Sequence, residues 1–212
     1  MDLLIRDVTF VDGTRGHVGI AGNRIRHVGA ETPEGDVART IDGTDRLALP
    51  GLVNAHTHAA MTLFRGYGDD MPLRPWLEER IWPAEAKLTD EDVYWGTRLA
   101  CAEMIRTGTT LFNDMYWKVP NAVRAIQDAG LRATVSAGLI SGGFMGDLKG
   151  EMRELIAMYE AGEFGDRIRL ALSPHAPYTV TPEDLEWCAA LATEHDLPIQ
   201  IHLSETLREV EE

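Results

Sequence analysis

The sequence predicts an α/β protein that is built on a parallel sheet and preceded by a small β unit. Two observations carry this prediction. Residues 2 to 50 read as short strands and turns, which is typical of a small sheet. From residue 51 onward, apolar strand-like runs alternate with longer amphipathic stretches, which is the pattern of βα units. We therefore divide the chain into residues 1–50 and residues 51–212.

The elements of both parts are delimited by their own signals. Three short strands are predicted in the first part: Val8–Val11, Val18–Ile20 and Ile25–Val28. Five are predicted in the second part: Leu52–His56, Thr109–Asn113, Ala133–Gly138, Ile168–Ser173 and Ile199–Leu203. Thr89 with Asp92 forms a capping signal for the first long helix, which Gly108 ends, and Gly130 ends the next helix. The stretch 66–87, which holds three prolines and two tryptophans, is predicted to be a long loop over the carboxyl ends of the strands.

The composition excludes several classes of protein. The 212 residues carry 20 Lys and Arg against 34 Asp and Glu, a formal net charge of −14 with His neutral, which is unsuited to gripping a nucleic acid. No apolar run reaches the ~20 residues that cross a bilayer, and the N-terminus lacks the blocks of a signal peptide. We expect a cytoplasmic protein without a nucleic-acid or membrane partner. The carboxylate-rich surface fits either salt adaptation or an ordinary acidic cytosolic protein.

Histidines lie where predicted strands end. His56 and His58 end the first strand, and because positions i and i+2 share one face of a strand, the two imidazoles stand side by side as a divalent metal requires. Taken alone, a His-x-His pair is more often a surface pair. His202 ends the fifth strand and would complete three ligands, and Glu205 would then move protons for an activated water. The alternative is a hydrogen-bonded core histidine followed by a carboxylate at a helix start.

A third strand end carries His175, which is held between two prolines that stiffen its loop. Spacing leaves three roles open for it, namely a metal ligand, a contact to substrate or a turn residue. The other histidines have no such context and are expected at the surface: His17, His27 and His195.

Three segments together resemble the amidohydrolase superfamily: PGLVNAHTH at 50–58, SPHAPY at 173–178 and IHLSET at 201–206. Within that superfamily the chain is similar to the 5-methylthioadenosine/S-adenosylhomocysteine deaminases. The similarity extends over essentially the whole chain and includes the segment WLEERIWPAE at 76–85.

The resemblance implies a metal-dependent hydrolase fold, a (β/α)8 TIM barrel with a small N-terminal β-sandwich. It implies that His56, His58 and His202 hold one zinc ion, with Fe2+ or another divalent metal as the alternative, and that Glu205 is the proton shuttle. Two further residues would bind the substrate, Glu85 at the ribose hydroxyls and His175 at the purine. The implied reaction is hydrolytic deamination of an adenosine-type nucleoside to the inosine analogue and ammonia. Guanine, cytosine or a chlorotriazine are the alternative substrates.

Two positions bear on the subclass and on the tail of the substrate. Ile168–Ser173 holds no lysine, which fits a mononuclear centre rather than the dinuclear centres that use a carboxylated lysine there. Ala137 stands where the family carries an arginine for the substrate's tail, whereas Lys149 lies near a second basic position. The resemblance therefore favours a short neutral 5′ group, as in 5-methylthioadenosine or 5′-deoxyadenosine, over S-adenosylhomocysteine.

The length is short for a whole barrel. After residue 50 there are 212 − 50 = 162 residues, whereas a (β/α)8 barrel typically takes ~250. We expect a barrel truncated after about five strands, without the later aspartate that completes the family's metal site. The chain alone is then expected to bind metal weakly and to deaminate little or not at all. A fragment that binds metal or a partner without turnover, and a homo-oligomer of the full-length parent, both stay open.

Overall fold

The structure is a computed structural model that describes residues 1–143 and 146–211. The chain divides into two compact units, Met1–Gly51 and the part from Leu52 onward. Within the described ranges, no helix combines the length and the apolar character needed to cross a membrane.

The first unit is a single five-stranded sheet. Its strands are β1 (Leu3–Phe10), β2 (Arg15–Ala21), β3 (Arg24–Gly29), β4 (Arg39–Asp42) and β5 (Leu47–Ala48). The order is β3-β2-β1-β4, and β5 also pairs with β1. β4 and β5 both lie parallel along the same edge of β1 and widen this sheet, and the expected β-sandwich part stays a prediction.

One histidine of this unit lies elsewhere than predicted. His17, expected at the surface, is 7% exposed. Its Nδ1 accepts a hydrogen bond from the backbone N–H of Asp7 at 3.2 Å, and its Nε2 lies 3.2 Å from the hydroxyl oxygen of Thr32. Burial is tolerated because both ring nitrogens have a polar partner.

The second unit is a parallel sheet with helices packed on its outer side, as predicted. The strands are β6 (Leu52–Thr57), β7 (Thr109–Tyr116), β8 (Arg132–Leu139), β9 (Ile168–Leu170) and β10 (Ser173–Pro174). The helices are α1 (Leu73–Trp76), α2 (Trp82–Glu85), α3 (Asp90–Thr107), α4 (Val119–Ala129), α5 (Leu148–Glu160), α6 (Pro182–Glu194) and α7 (Leu207–Glu211). β7 and β8 lie inside the sheet and β6 forms one edge. The main core joins β7, β8 and β9 to helices α3 to α6 through apolar side chains such as Phe112, Ile126, Val135, Leu155 and Cys188.

The predicted helix ends are confirmed. Thr89 and Asp92 form a reciprocal capping box at the start of α3. Gly108 and Gly130 follow α3 and α4 with φ of 87° and 77°, a left-handed conformation that glycine adopts without steric cost.

The fourth predicted strand is interrupted and the fifth is reduced. β9 and β10 pair with β8 in one continuous register, Leu170 opposite Val135 and Ser173 opposite Gly138. The predicted strand Ile199–Leu203 is corrected to a single bridge between Leu172 and Ile199. Pro198 donates no N–H to a ladder, and no further strand among the described residues pairs with the outer edge of this segment.

The stretch 66–87 is largely helical, so its assignment as a loop was wrong. A 3-10 helix, Ala59–Phe64, is followed by α1, a π-helical turn, Leu77–Ile81, and α2. The prolines do not prevent this, because they stand at the N-cap or in the first turn of α1 and α2, where no intrahelical N–H donor is needed.

Candidate metal centre

The structure brings His56, His58 and His202 together at the carboxyl end of the sheet. The three ring centroids are 5.0 to 5.2 Å apart, although the chain separates the first pair from His202 by more than 140 residues. The sheet must therefore curl until its first strand and its last segment meet. The Gln200 side chain strengthens this curl, since its amide donates to the carbonyl of Asp114 on β7 at 3.1 Å.

The donor set fits one divalent metal ion. Two nitrogen ligands held at ~2.1 Å from a tetrahedral ion lie ~3.4 Å apart, and the Nε2 atoms of His56 and His58 are 3.4 Å apart. All three ligand atoms lie within 4.8 Å of one another. In the part of the chain that the structure describes, this is the one group of three or more His, Cys, Asp or Glu side chains with such spacing.

Backbone carbonyls orient two of the three rings. His58 donates its Nδ1 proton to the carbonyl of Met115 at 2.7 Å, and His202 donates its Nδ1 proton to the carbonyl of His175 at 2.8 Å. These hydrogen bonds select the tautomer in which Nε2 carries the free lone pair. Burial also lowers the pKa of His58, which keeps this ring in the neutral form that binds a metal.

His58 and His202 open into a cavity of about 70 Å³. Its wall combines the ends of the strands with the helical segment 73–85. The polar lining comes from His58, His202, His175, Glu85 and Glu205, and the aromatic lining from Trp76, Trp82, Tyr116, Trp117 and Tyr178. A cavity of this kind, apolar with a few convergent polar groups, is typical of a site for a small ligand.

Glu205 lies at the rim of the cavity in a fixed position. Tyr178 donates a hydrogen bond from its hydroxyl to Glu205 Oε2 at 2.6 Å. The backbone is held as well, because the N–H groups of Ser204 and Glu205 donate to the carboxylate of Glu209 at 2.7 and 3.1 Å. Burial and the carboxylate of Glu205 raise the pKa of the Tyr178 hydroxyl, so this hydroxyl keeps its proton and acts as the donor.

Two predicted substrate contacts line the same cavity. Glu85, at the end of α2, is 8% exposed, and burial raises its pKa, an effect that Tyr116 and Trp117 partly offset. His175 lies 4.9 Å from His202 between ring centroids, and its Nδ1 is 2.9 Å from the Thr179 hydroxyl oxygen. Burial, reinforced by the neighbouring histidines, lowers the pKa of His175 to about 4, so its ring is neutral near pH 7.

Lys149 is not brought to this cavity. It lies on α5, where its ammonium group forms an ion pair with Asp184 and stands 5.1 Å from the centroid of the Trp187 ring. Its predicted role near the substrate's tail stays a prediction. Ala137 does not line the cavity either, since it packs into the core, and Gly138 lines the cavity instead.

Sequence reasoning placed Trp76 and Trp82 over the ends of the strands but missed Tyr116, Trp117 and Asp114. Three of the five tryptophans, Trp76, Trp82 and Trp117, line the cavity, so the clustering of this rare residue beside strand ends was a usable signal. Asp114 is 2% exposed and burial raises its pKa to about 6. The sequence gives a weaker signal for Asp114: it is a charged residue within an apolar strand, where a buried side chain is expected.

Comparison with known proteins gives a consistent result. The model of the amidohydrolase family matches residues 47–212. The chain is 50% identical to a 5′-deoxyadenosine deaminase of Methanoregula boonei over 98% of its own length and 48% of that protein. It is 48% identical to a 5-methylthioadenosine/S-adenosylhomocysteine deaminase of Syntrophomonas wolfei, over 93% of the chain and 46% of the relative.

A solved structure shares the fold. An adenosine deaminase of Xanthomonas campestris, crystallised with bound zinc, superposes with a TM-score of 0.87 at 35% identity, covering 99% of this chain and 51% of that one. The chain therefore belongs to the amidohydrolase family, as its motifs predicted, and it spans about half the length of the curated relatives that it matches.

Proposed function

We propose that this chain forms the metal-holding and purine-binding part of a hydrolytic deaminase for adenosine-type nucleosides. The observation that carries the proposal is that two of the three imidazoles at metal spacing, His58 and His202, line one cavity with Glu205, Glu85 and His175. The names of the relatives, deaminases of 5′-deoxyadenosine and of 5-methylthioadenosine/S-adenosylhomocysteine, support it. We place the protein in the cytoplasm, where such nucleosides arise.

His56, His58 and His202 are the residues that would hold the metal. Imidazole ligands suit zinc, and Fe2+ or another divalent ion is compatible with the same donors. When bound, such an ion supplies the Lewis acidity that makes water a nucleophile at neutral pH.

Glu205 is proposed to move the proton. The reaction replaces the C6 amino group of the purine by oxygen, so one proton leaves the attacking water and the departing nitrogen must gain one. The Tyr178 hydroxyl occupies Oε2 of Glu205, which leaves Oε1 as the oxygen that accepts and returns the proton. His175, held neutral, is proposed to contact the purine ring.

The cavity favours a nucleoside with an uncharged 5′ group. Glu85 presents a buried carboxyl between aromatic side chains, where ribose hydroxyls satisfy it by hydrogen bonding. Among the described residues that line the cavity, the charged groups besides histidine are Glu85 and Glu205, and neither Lys nor Arg is present. An amino-acid carboxylate would meet no cation there, so we propose 5′-deoxyadenosine or 5-methylthioadenosine as the better substrates and S-adenosylhomocysteine as the poorer one.

The test measures zinc content and ammonia release together. The 212-residue chain (below, the printed chain) and a version extended to the length of its relatives are each incubated with four compounds. These are 5′-deoxyadenosine, 5-methylthioadenosine, S-adenosylhomocysteine and guanine. We expect the extended version to hold stoichiometric zinc and to release ammonia from the first two most rapidly, and the printed chain to do so weakly. Glu205→Gln should lower turnover ~10²- to 10⁴-fold with unchanged zinc, whereas His202→Ala should lower both.

Three results would overturn the proposal. Turnover of guanine without turnover of the adenosines would reassign the substrate within the family. Zinc binding without ammonia release in both preparations would identify a metal-binding protein that is not a deaminase. Full turnover by Glu205→Gln would remove Glu205 from the reaction.

A further inference from the structure

Strand pairing alone does not fix the backbone that carries His56 and His58. β6 lies at the edge of the sheet, and its register against β7 shifts between Asn54 and Thr57. A shift of this kind is a β-bulge, which interrupts the ladder and redirects side chains. His56 lies inside the interrupted stretch, so a further contact must set the direction of the two rings.

Asp114 makes that contact from the neighbouring strand. Its Oδ1 accepts a hydrogen bond from the backbone N–H of Ala59 at 2.7 Å. It also lies 3.0 Å from the hydroxyl of Thr57, whose one proton it shares with the backbone carbonyl of Asn113 at 2.7 Å. The two donors lie immediately before and after His58 in the chain. The residue after Asp114, Met115, accepts the Nδ1 proton of His58. Two consecutive residues of β7 therefore hold His58 by its backbone and by its ring.

We propose that Asp114 is a positioning residue, which holds the chain on both sides of His58 so that His56 and His58 direct their Nε2 atoms at one metal ion. Neither of its two donors carries a positive charge, so burying this carboxyl group costs free energy of folding. A residue that served the fold alone would not need to be a carboxylate. Partners that orient metal ligands typically change metal affinity 10- to 100-fold. The inference rests on the metal site of the proposed function and not on its nucleoside.

The experiment compares four variants of the printed chain. Asp114→Ala removes the acceptor, Asp114→Asn keeps an oxygen in its place, and Thr57→Val removes one donor with little change of shape. Ser141→Ala is the matched control, because its hydroxyl oxygen accepts from the backbone N–H of Thr181 at 2.9 Å outside the histidine cluster. Zinc affinity is measured by competition with a chromophoric chelator, the His58 tautomer by ¹⁵N NMR without metal, and stability by urea unfolding.

Asp114→Ala should lower zinc affinity 10- to 100-fold and replace the single Nδ1–H tautomer of His58 by a mixture. Thr57→Val should lower affinity several-fold, whereas Asp114→Asn should stay within about threefold and Ser141→Ala should have no effect. If Asp114→Ala does not fold, Thr57→Val decides by the same readouts.

Reduced stability with unchanged affinity and an unchanged His58 tautomer would overturn the inference, since Asp114 would then serve the fold alone. The NMR readout separates this failure from failure of the proposed function. If the original chain takes up no zinc, but Asp114→Ala still changes the His58 tautomer, the metal site is refuted. The positioning role of Asp114 then remains.

Discussion

The inner and outer strands of the parallel sheet contribute differently to the candidate site. β7 and β8 bury most of their side chains, whereas β6 leaves four of six residues exposed and the segment 199–203 makes one bridge. The three histidines that would bind metal lie on the outer elements. The groups that orient them, the Met115 carbonyl, the Asp114 carboxyl and the His175 carbonyl, lie on or beside the inner strands.

This difference shows how metal ligands can be oriented precisely although they lie on strands with few buried contacts. Strands with few buried contacts open locally at low free energy, so the ligands cannot depend on their own strands for orientation. Hydrogen bonds to neighbouring backbone carbonyls set the direction of the His58 and His202 rings instead. A substitution that disrupts an inner strand should therefore lower the stability of the whole unit. A substitution that removes an orienting group should instead lower metal affinity at the site.

The largest effect is expected from truncating a side chain of an inner strand. Phe112 on β7 is fully buried, whereas Val53 on β6 is 62% exposed. Phe112→Ala should lower the free energy of unfolding by ~3–5 kcal/mol, since it leaves a large cavity. Val53→Ala, the outer-strand control, should change it by ~0.5 kcal/mol or less. Urea unfolding measures both, and equal losses would contradict the division into inner and outer strands.

The next effect is a dependence of stability on pH. Burial raises the pKa of Asp114 from 3.8 to about 6, so the folded state binds this proton more tightly than the unfolded state does. The stabilisation is complete below pH 3.8 and is lost as the pH rises through about 6. A shift of about 2 units corresponds to ~3 kcal/mol.

The control for this prediction is Asp114→Asn, which has no proton to lose. Between pH 4 and pH 7 the original chain should lose stability relative to this variant by the amount given above. Urea unfolding at intervals of half a pH unit measures the difference. Parallel curves for the two proteins would show that Asp114 does not titrate in this range.

Local patterns in the sequence predicted what depends on local physics. Apolar periodicity predicted where most strands lie along the chain, and capping residues such as Thr89 and Gly108 predicted the helix ends, because both signals act within a few residues. The histidines were found because each one ends an apolar run. Their arrangement around one ion followed from the resemblance to a family, since spacing alone left the roles open.

The rest depends on contacts between distant parts of the chain. The ion pair of Lys149 with Asp184 could not be predicted, because Asp184 lies 35 positions away on another helix. Asp114 was missed because its donors, Thr57 and Ala59, precede it by more than 50 positions. The helical course of 73–85 escaped prediction because proline reads as a helix breaker unless its place in the first turn is known.

The smallest effect is expected at Tyr178, which orients Glu205 rather than a metal ligand. In the version extended to the length of its relatives, Tyr178→Phe removes the 2.6 Å hydrogen bond to Oε2 and leaves the ring in place. A hydrogen bond to a partly exposed charged group contributes about 1 kcal/mol, so kcat should fall roughly fivefold while KM for 5′-deoxyadenosine and zinc content stay the same. Steady-state kinetics with zinc analysis measures this. A raised KM with unchanged kcat would instead make Tyr178 a contact of the nucleoside, and the orientation of Glu205 would then depend on its backbone bonds to Glu209 alone.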